Sequence, residues 1–211
     1  ALIQGLTEFL PVSSSAHLIL PSALLGWPDQ GLAFDVAVHF GSLLAVVFYY
    51  RVKLLAMARE WTANLAGGER TEAARQAWVV LYATIPAMLV GVVVNQFEHL
   101  IRSGLIIAFT TIFFAFFLAW ADRRSATKQL TEMSLKQGML IGLCQCLALI
   151  PGTSRSGITM TTALALGFRR DVAAEFSFLL SIPLIGAAAS LKTLELMMAS
   201  QAVDWTSLVL G

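Results

Sequence analysis

Gln4 and Glu8 stand one helical turn apart, Pro11 follows, and then come Ser13, Ser14, Ser15 and His17. Far along the chain Pro151 is followed by Thr153, Ser154, Arg155, Ser156 and Thr159. The two stretches, 10–17 and 150–157, share one pattern: an apolar run stopped by proline, then hydroxyl residues, then apolar residues again. Between them they supply a carboxylate, an imidazole, a guanidinium and a set of hydroxyls. Groups of these types bind an anion and move protons at it, because the guanidinium keeps its charge while the others exchange hydrogen.

Glu8 shares a helical face with Gln4, and Pro11 ends that helix. A carboxylate within apolar sequence costs roughly 2.5–3.5 kcal/mol on insertion scales, so it persists where water, a metal ion or a cation meets it. Glu8 is therefore read as functional rather than as a buried structural acid. Ser13, Ser14 and Ser15 lie where one short helix turns into the next. Helix capping accounts for at least one of them; the free N–H groups and positive helix end at such a turn also suit phosphate. His17 falls on the first turn of the second helix, and its place beside Glu8 and Ser14 favours a role in the site over core packing. Arg155 needs an anion at membrane depth, and Thr153, Ser154, Ser156 and Thr159 offer hydroxyl donors to the same ligand. A purely structural Arg155–Glu8 pair is the alternative.

The elements that must carry these residues are set by composition. The chain has 211 residues, 57% hydrophobic and 13% charged, with a mean hydropathy of +0.75. That is too apolar for a soluble domain of this length. Lys plus Arg (14) nearly balance Asp plus Glu (13), which leaves no basic field for nucleic acid. Cys144 and Cys146 are two apart on one expected helix, so they do not face each other and pack as free thiols. Segments 34–50, 77–94, 105–121 and 172–191 read as membrane spans. By contrast, 139–150 and 158–168 would each rise only about 16–18 Å as helices, and 2–10 and 16–25 are equally short. These four are expected to form two re-entrant helical hairpins.

Lys and Arg concentrate in 51–76 and in 122–136, which places both loops on the cytoplasmic side; 26–32 and 95–103 face outward. The segment Asp35-Val-Ala-Val-His-Phe-Gly-Ser-Leu-Leu44 lines up with Asp171-Val-Ala-Ala-Glu-Phe-Ser-Phe-Leu-Leu180. With an odd number of crossings between the copies, the repeats have opposite orientation, a design that places a shared site near the bilayer midplane. Asp35 and Asp171 read as N-caps. His39 and Glu175, equivalent one turn later, either line the cleft or pack helices. The Phe113-Phe114-Ala-Phe116-Phe117 cluster faces lipid or neighbouring helices, and 51–76 carries an interfacial helix. The expected fold is all-α: a polytopic membrane helix bundle forming one integral membrane domain over 1–211. It has two inverted repeats, about 1–50 and about 137–192, in a chain that reads as truncated at both ends.

Gln4-Gly-Leu-Thr-Glu8-Phe-Leu-Pro-Val-Ser-Ser-Ser-Ala-His17 and Pro151-Gly-Thr-Ser-Arg-Ser-Gly-Ile-Thr159 resemble the two signatures of the bacterial undecaprenyl-diphosphate phosphatases, and the likeness covers nearly the whole chain. It implies a multi-pass enzyme of the bacterial inner (plasma) membrane that hydrolyses undecaprenyl diphosphate to undecaprenyl phosphate and inorganic phosphate. Such an enzyme recycles the lipid carrier for peptidoglycan and cell-wall synthesis and alters bacitracin resistance. It also implies catalytic roles for Glu8, Ser14, His17 and Arg155, and a divalent cation, Mg2+ or Ca2+, held by Glu8 and Gln4. Phosphate binding would fall to Ser13, Ser15, Thr153, Ser154, Ser156 and Thr159. The expected partners are the diphosphate lipid and the bilayer, with a homo-oligomer compatible with the sequence. Family members with glutamate at the position of Gln4 have a second carboxylate there. The nucleophile is left open among Ser14, His17 and water. On architecture alone, a carrier of an anionic lipid or solute is the rival reading.

Overall fold

The computed structural model describes residues 1–14, 16–17, 26, 31–94 and 104–198. Ser15, most of the return arm of the first motif, the connection 95–103 and the residues after 198 lie outside the described residues. The described chain is all helical, with no β-strand among its described residues. We label its helices α1 (Leu2–Thr7), α2 (Gly31–Tyr49), α3 (Arg51–Leu65), α4 (Glu72–Val94), α5 (Gly104–Asp122), α6 (Leu135–Gln145), α7 (Arg155–Ala165) and α8 (Arg170–Met198). Three of them, α4, α5 and α8, are long and apolar enough to cross a membrane. A fourth span is present if α2 and α3, bent by 79° at Tyr50, are taken as one broken element. This is the architecture of a helical membrane protein. On α5, Phe109, Phe113, Phe116 and Phe117 are exposed, as an aromatic run in a lipid-facing helix should be.

Two expected caps are corrected. Asp35 lies inside α2, which begins at Gly31, and Asp171 stands in the first turn of α8 rather than before it. The apolar residues preceding each aspartate extend the helix backward, a tertiary preference that a lone capping signal does not register.

The core lies where α4, α6 and α8 meet, around Val79, Val80, Ala83, Ile141, Phe176, Leu179 and Leu180. Gly138 and Gly142, four apart on α6, let that helix approach α4 closely. A Cβ at Gly142 would stand 1.9 Å from the Ala83 carbonyl oxygen, and one at Gly138 would stand 2.3 Å from Val79 Cγ1. Small residues at this spacing are a standard means of bringing membrane helices together. Gly142→Ala must therefore push the two helices apart, and we expect it to destabilise the fold by about 1–3 kcal/mol. Thermal unfolding in detergent measures this; an unchanged midpoint would contradict the packing.

The basic loops collect at one end. Arg75 donates to the Met133 carbonyl at 2.6 Å and to that of Thr131, and Arg170 pairs with Asp122. Lys128 Nζ reaches the Leu166 carbonyl at 2.7 Å, while the Thr127 and Lys128 amides donate to Gly167 O. Segments 72–75, 122–133 and 166–170 are thereby fastened together, in keeping with loops that share one side of the membrane.

Candidate active site

Each proline break frees backbone carbonyls, and in a membrane these must find donors from within the protein. At the second break, α6 tightens into a 3-10 turn, Cys146–Leu149, before Pro151. Thr110 and Thr111 of α5 then donate to the Pro151 and Gly152 carbonyls at 2.6 and 2.9 Å. Gly152 has φ of +89°, and a Cβ there would meet Thr110 Oγ1 at 2.3 Å and Ile107 O at 2.5 Å. Only a glycine admits both the left-handed turn and that approach. The first break is satisfied by the second motif: Ser156 Oγ donates to Leu10 O at 2.5 Å, and Arg155 Nη2 lies 3.5 Å from Glu8 O. The two motifs, almost 150 residues apart in sequence, thus close each other's open backbone.

Glu8, at the C-terminal cap of α1, is the centre of this contact. Its Oε2 accepts from Gln4 Nε2 at 2.7 Å and from Ser14 Oγ at 3.0 Å. Its Oε1 accepts from Arg155 Nη2 at 3.2 Å. Both partners of that ion pair are largely buried, with side chains 7% exposed for Glu8 and 12% for Arg155. Arg155, the first residue of α7, also donates through Nη1 to the Ser177 carbonyl on α8 at 3.1 Å. The planar fork of a guanidinium suits such divided donation, with one arm anchored to backbone and one directed at a carboxylate.

The hydroxyl residues divide by what they already hold. Ser13 Oγ lies 3.4 Å from the Ala16 amide, a weak form of the expected cap. Ser154 caps α7 by accepting from Gly157 N at 3.1 Å, and it lies 3.0 Å from Ser156 Oγ. Thr159 donates to Ser177 Oγ at 2.8 Å. Thr153 Oγ1 is buried without a hydrogen-bond partner. His17 Nδ1 lies 2.7 Å from Ser13 O. A carbonyl only accepts, so Nδ1 carries the proton and the neutral ring keeps its lone pair on Nε2. Ser15 falls outside the described residues.

Some members of this arrangement were not singled out from the sequence. Thr110 and Thr111 carry hydroxyls in the middle of an apolar span, which is the signal that could have found them. Ser177 acts through its backbone carbonyl, which no residue type announces. His39 and Glu175, equivalent in the repeat, diverge. His39 Nε2 is 3.8 Å from Glu8 Oε2, whereas Glu175 pairs with Lys53 of α3 at 2.7 Å. Cys144 and Cys146 are free thiols.

The family model for bacitracin resistance protein BacA matches residues 1–211, the whole chain. The chain belongs to the BacA family. Among its curated relatives, the undecaprenyl-diphosphatase of Chromohalobacter salexigens is 56% identical over 213 residues, covering 100% of this chain and 80% of the relative. That of Hahella chejuensis is 54% identical over 209 residues, 99% of this chain and 79% of the relative. The Colwellia psychrerythraea protein of the same name is 56% identical over 221 residues, 100% and 81%. Within this BacA chain, the site assembled by Glu8, Ser14 and Arg155 is built from the two segments whose pattern first marked them.

Proposed function

We infer that this chain is an undecaprenyl-diphosphatase that releases inorganic phosphate from undecaprenyl diphosphate and leaves undecaprenyl phosphate. Membership of the BacA family and the relatives' shared name support that reading. The observation that carries its chemistry is the Glu8 carboxylate, joined at once to the Ser14 hydroxyl and the Arg155 guanidinium. A hydroxyl hydrogen-bonded to a carboxylate is an activated nucleophile with its base in place. Ser14 Oγ attacks the terminal phosphorus while its proton passes to Glu8 Oε2. The bridging P–O bond breaks, and undecaprenyl phosphate departs with that oxygen. Water then hydrolyses the phosphoserine and releases phosphate. Arg155 neutralises charge building on the phosphoryl oxygens, the largest single contribution expected in such a site. His17 Nε2, bearing a lone pair, accepts a proton from the attacking water.

The residues present fit a divalent cation. Gln4 Oε1 is buried and has no hydrogen-bond partner, although the same amide bonds Glu8 through Nε2. An unpaired buried oxygen next to a carboxylate suits a hard cation such as Mg2+ or Ca2+. Gln4 and Glu8 would hold it, and it would offset charge on the diphosphate.

The membrane reading is finer in the same way. The short helices α6 and α7 pack on one another across the Pro151 break, which supports a re-entrant hairpin. Its pairing with the first motif supports inverted repeats around a shared site in the bacterial inner membrane, where the chain would serve cell-wall synthesis and bacitracin resistance. The prenyl tail remains in lipid and only the diphosphate enters the polar cleft.

Brief reaction with substrate labelled at the terminal phosphate, followed by acid quench, tests the nucleophile. We expect acid-stable label on Ser14 in the parent and none in Ser14→Ala. Acid-labile label that survives in Ser14→Ala would place the covalent step on His17 instead.

A further inference from the structure

Four side chains surround the Glu8 carboxylate, and three of them belong to the two motifs. The fourth is His39, on α2, whose Nε2 lies 3.8 Å from Glu8 Oε2. Glu8 is 7% exposed at its side chain and Arg155 12%, but His39 is 36% exposed. His39 therefore flanks the carboxylate on its open side, where a ligand must arrive.

The position of His39 is fixed by packing. On the following turns of α2, Leu43 and Val46 are buried against Ile185 of α8, with Phe9 packed on the same cluster. Phe9, adjacent to Glu8 in sequence, stands edge-on to Phe178 with ring centroids 5.4 Å apart. Ser42 donates into its own helix, to Val38 O at 2.9 Å. One apolar cluster thus holds the backbone of Glu8 and the helix bearing His39 against α8, and the imidazole is presented to the carboxylate by a rigid element.

We propose that His39 is a positioning residue for Glu8, an N–H donor that holds Oε2 in place as Ser14 leaves it to attack phosphorus. In the resting arrangement Gln4 and Ser14 already occupy Oε2 at 2.7 and 3.0 Å, and 3.8 Å is beyond hydrogen-bond range. Once the Ser14 oxygen turns to phosphorus, Oε2 loses one of its two donors. His39 stands within a small side-chain movement of replacing it. A buried carboxylate left short of a donor at that moment would swing toward Arg155, away from the proton it has to take. This role requires a donor of the right reach and does not require a charged ring. It rests on Glu8 as the proton acceptor.

The role is tested by kcat and KM for phosphate release from a C55 prenyl diphosphate by purified, folded His39→Leu, His39→Gln and His39→Asn. Loss of an outer-shell partner of this kind typically costs about 10- to 100-fold, and we expect that loss in kcat of His39→Leu with KM nearly unchanged. His39→Gln, whose amide reaches as far as Nε2, should recover activity to within several-fold of the parent. His39→Asn has the same amide on a shorter stem and should not. Parent-like kcat in His39→Leu, equal impairment of the Gln and Leu variants, or an effect confined to KM would each overturn the role. If His39→Leu does not fold, the Gln and Asn pair decides alone, since equal activity in those two would also overturn it. A parent protein that releases no phosphate would defeat the phosphatase reading itself, a different result from an active parent indifferent to position 39.

Discussion

Arg155→Ala is expected to lower phosphate release by about 10³-fold or more, the scale on which a charge-stabilising arginine acts in phosphoryl transfer. The guanidinium is the cation that the structure joins to Glu8, and its second arm is tied to the Ser177 carbonyl. Arg155→Lys should recover little of the loss, because an ammonium cannot donate to backbone and carboxylate in the same forked geometry. Truncating one member of a buried ion pair also costs about 3–5 kcal/mol of stability, since the other charge is left uncompensated. Activity is therefore compared on monodisperse, folded protein, with the thermal midpoint measured alongside. A folded Arg155→Ala that turns over within tenfold of the parent would make the ion pair structural and remove the arginine from the chemistry.

Glu8→Gln is the second large effect. The amide matches the carboxylate in size and still accepts from Arg155 and Ser14, yet it cannot take a proton. We expect kcat to fall by about 10²- to 10⁴-fold, the range associated with a general base. No labelled phosphoserine should accumulate, because the step that forms it is blocked. If the variant formed phosphoenzyme at the parent's rate and failed only to release phosphate, Glu8 would act on the water step instead. Comparing the single-turnover burst with steady-state release separates the two.

The site was legible in sequence for a physical reason. A charged side chain within an apolar segment is expensive, so Glu8 and Arg155 needed an explanation that an exposed charge does not. Prolines with hydroxyl residues behind them marked the breaks, and the structure joins the two motifs through Glu8 and Arg155 as their chemistry suggested. Other features were hidden. Asp35 and Asp171 carried a cap signal that helix extension overrode. The 79° bend after Tyr49 has no proline or glycine to announce it; it follows from where α3 packs on α4. Whether His39 packed or faced the cleft could not be decided from a repeat match, because its counterpart Glu175 found Lys53 instead. A residue's partner across the fold is a property of tertiary packing, and periodicity along one helix does not encode it.

The most direct measurement is inorganic phosphate release from a C55 prenyl diphosphate by the purified, detergent-solubilised protein. It would be run with Mg2+, with Ca2+ and with chelator, beside Arg155→Ala. Release that depends on the cation, returns when the cation is restored and disappears in the variant is the predicted result. A folded protein that releases no phosphate under any of these conditions, or an Arg155→Ala variant that releases it as fast as the parent, would contradict the account.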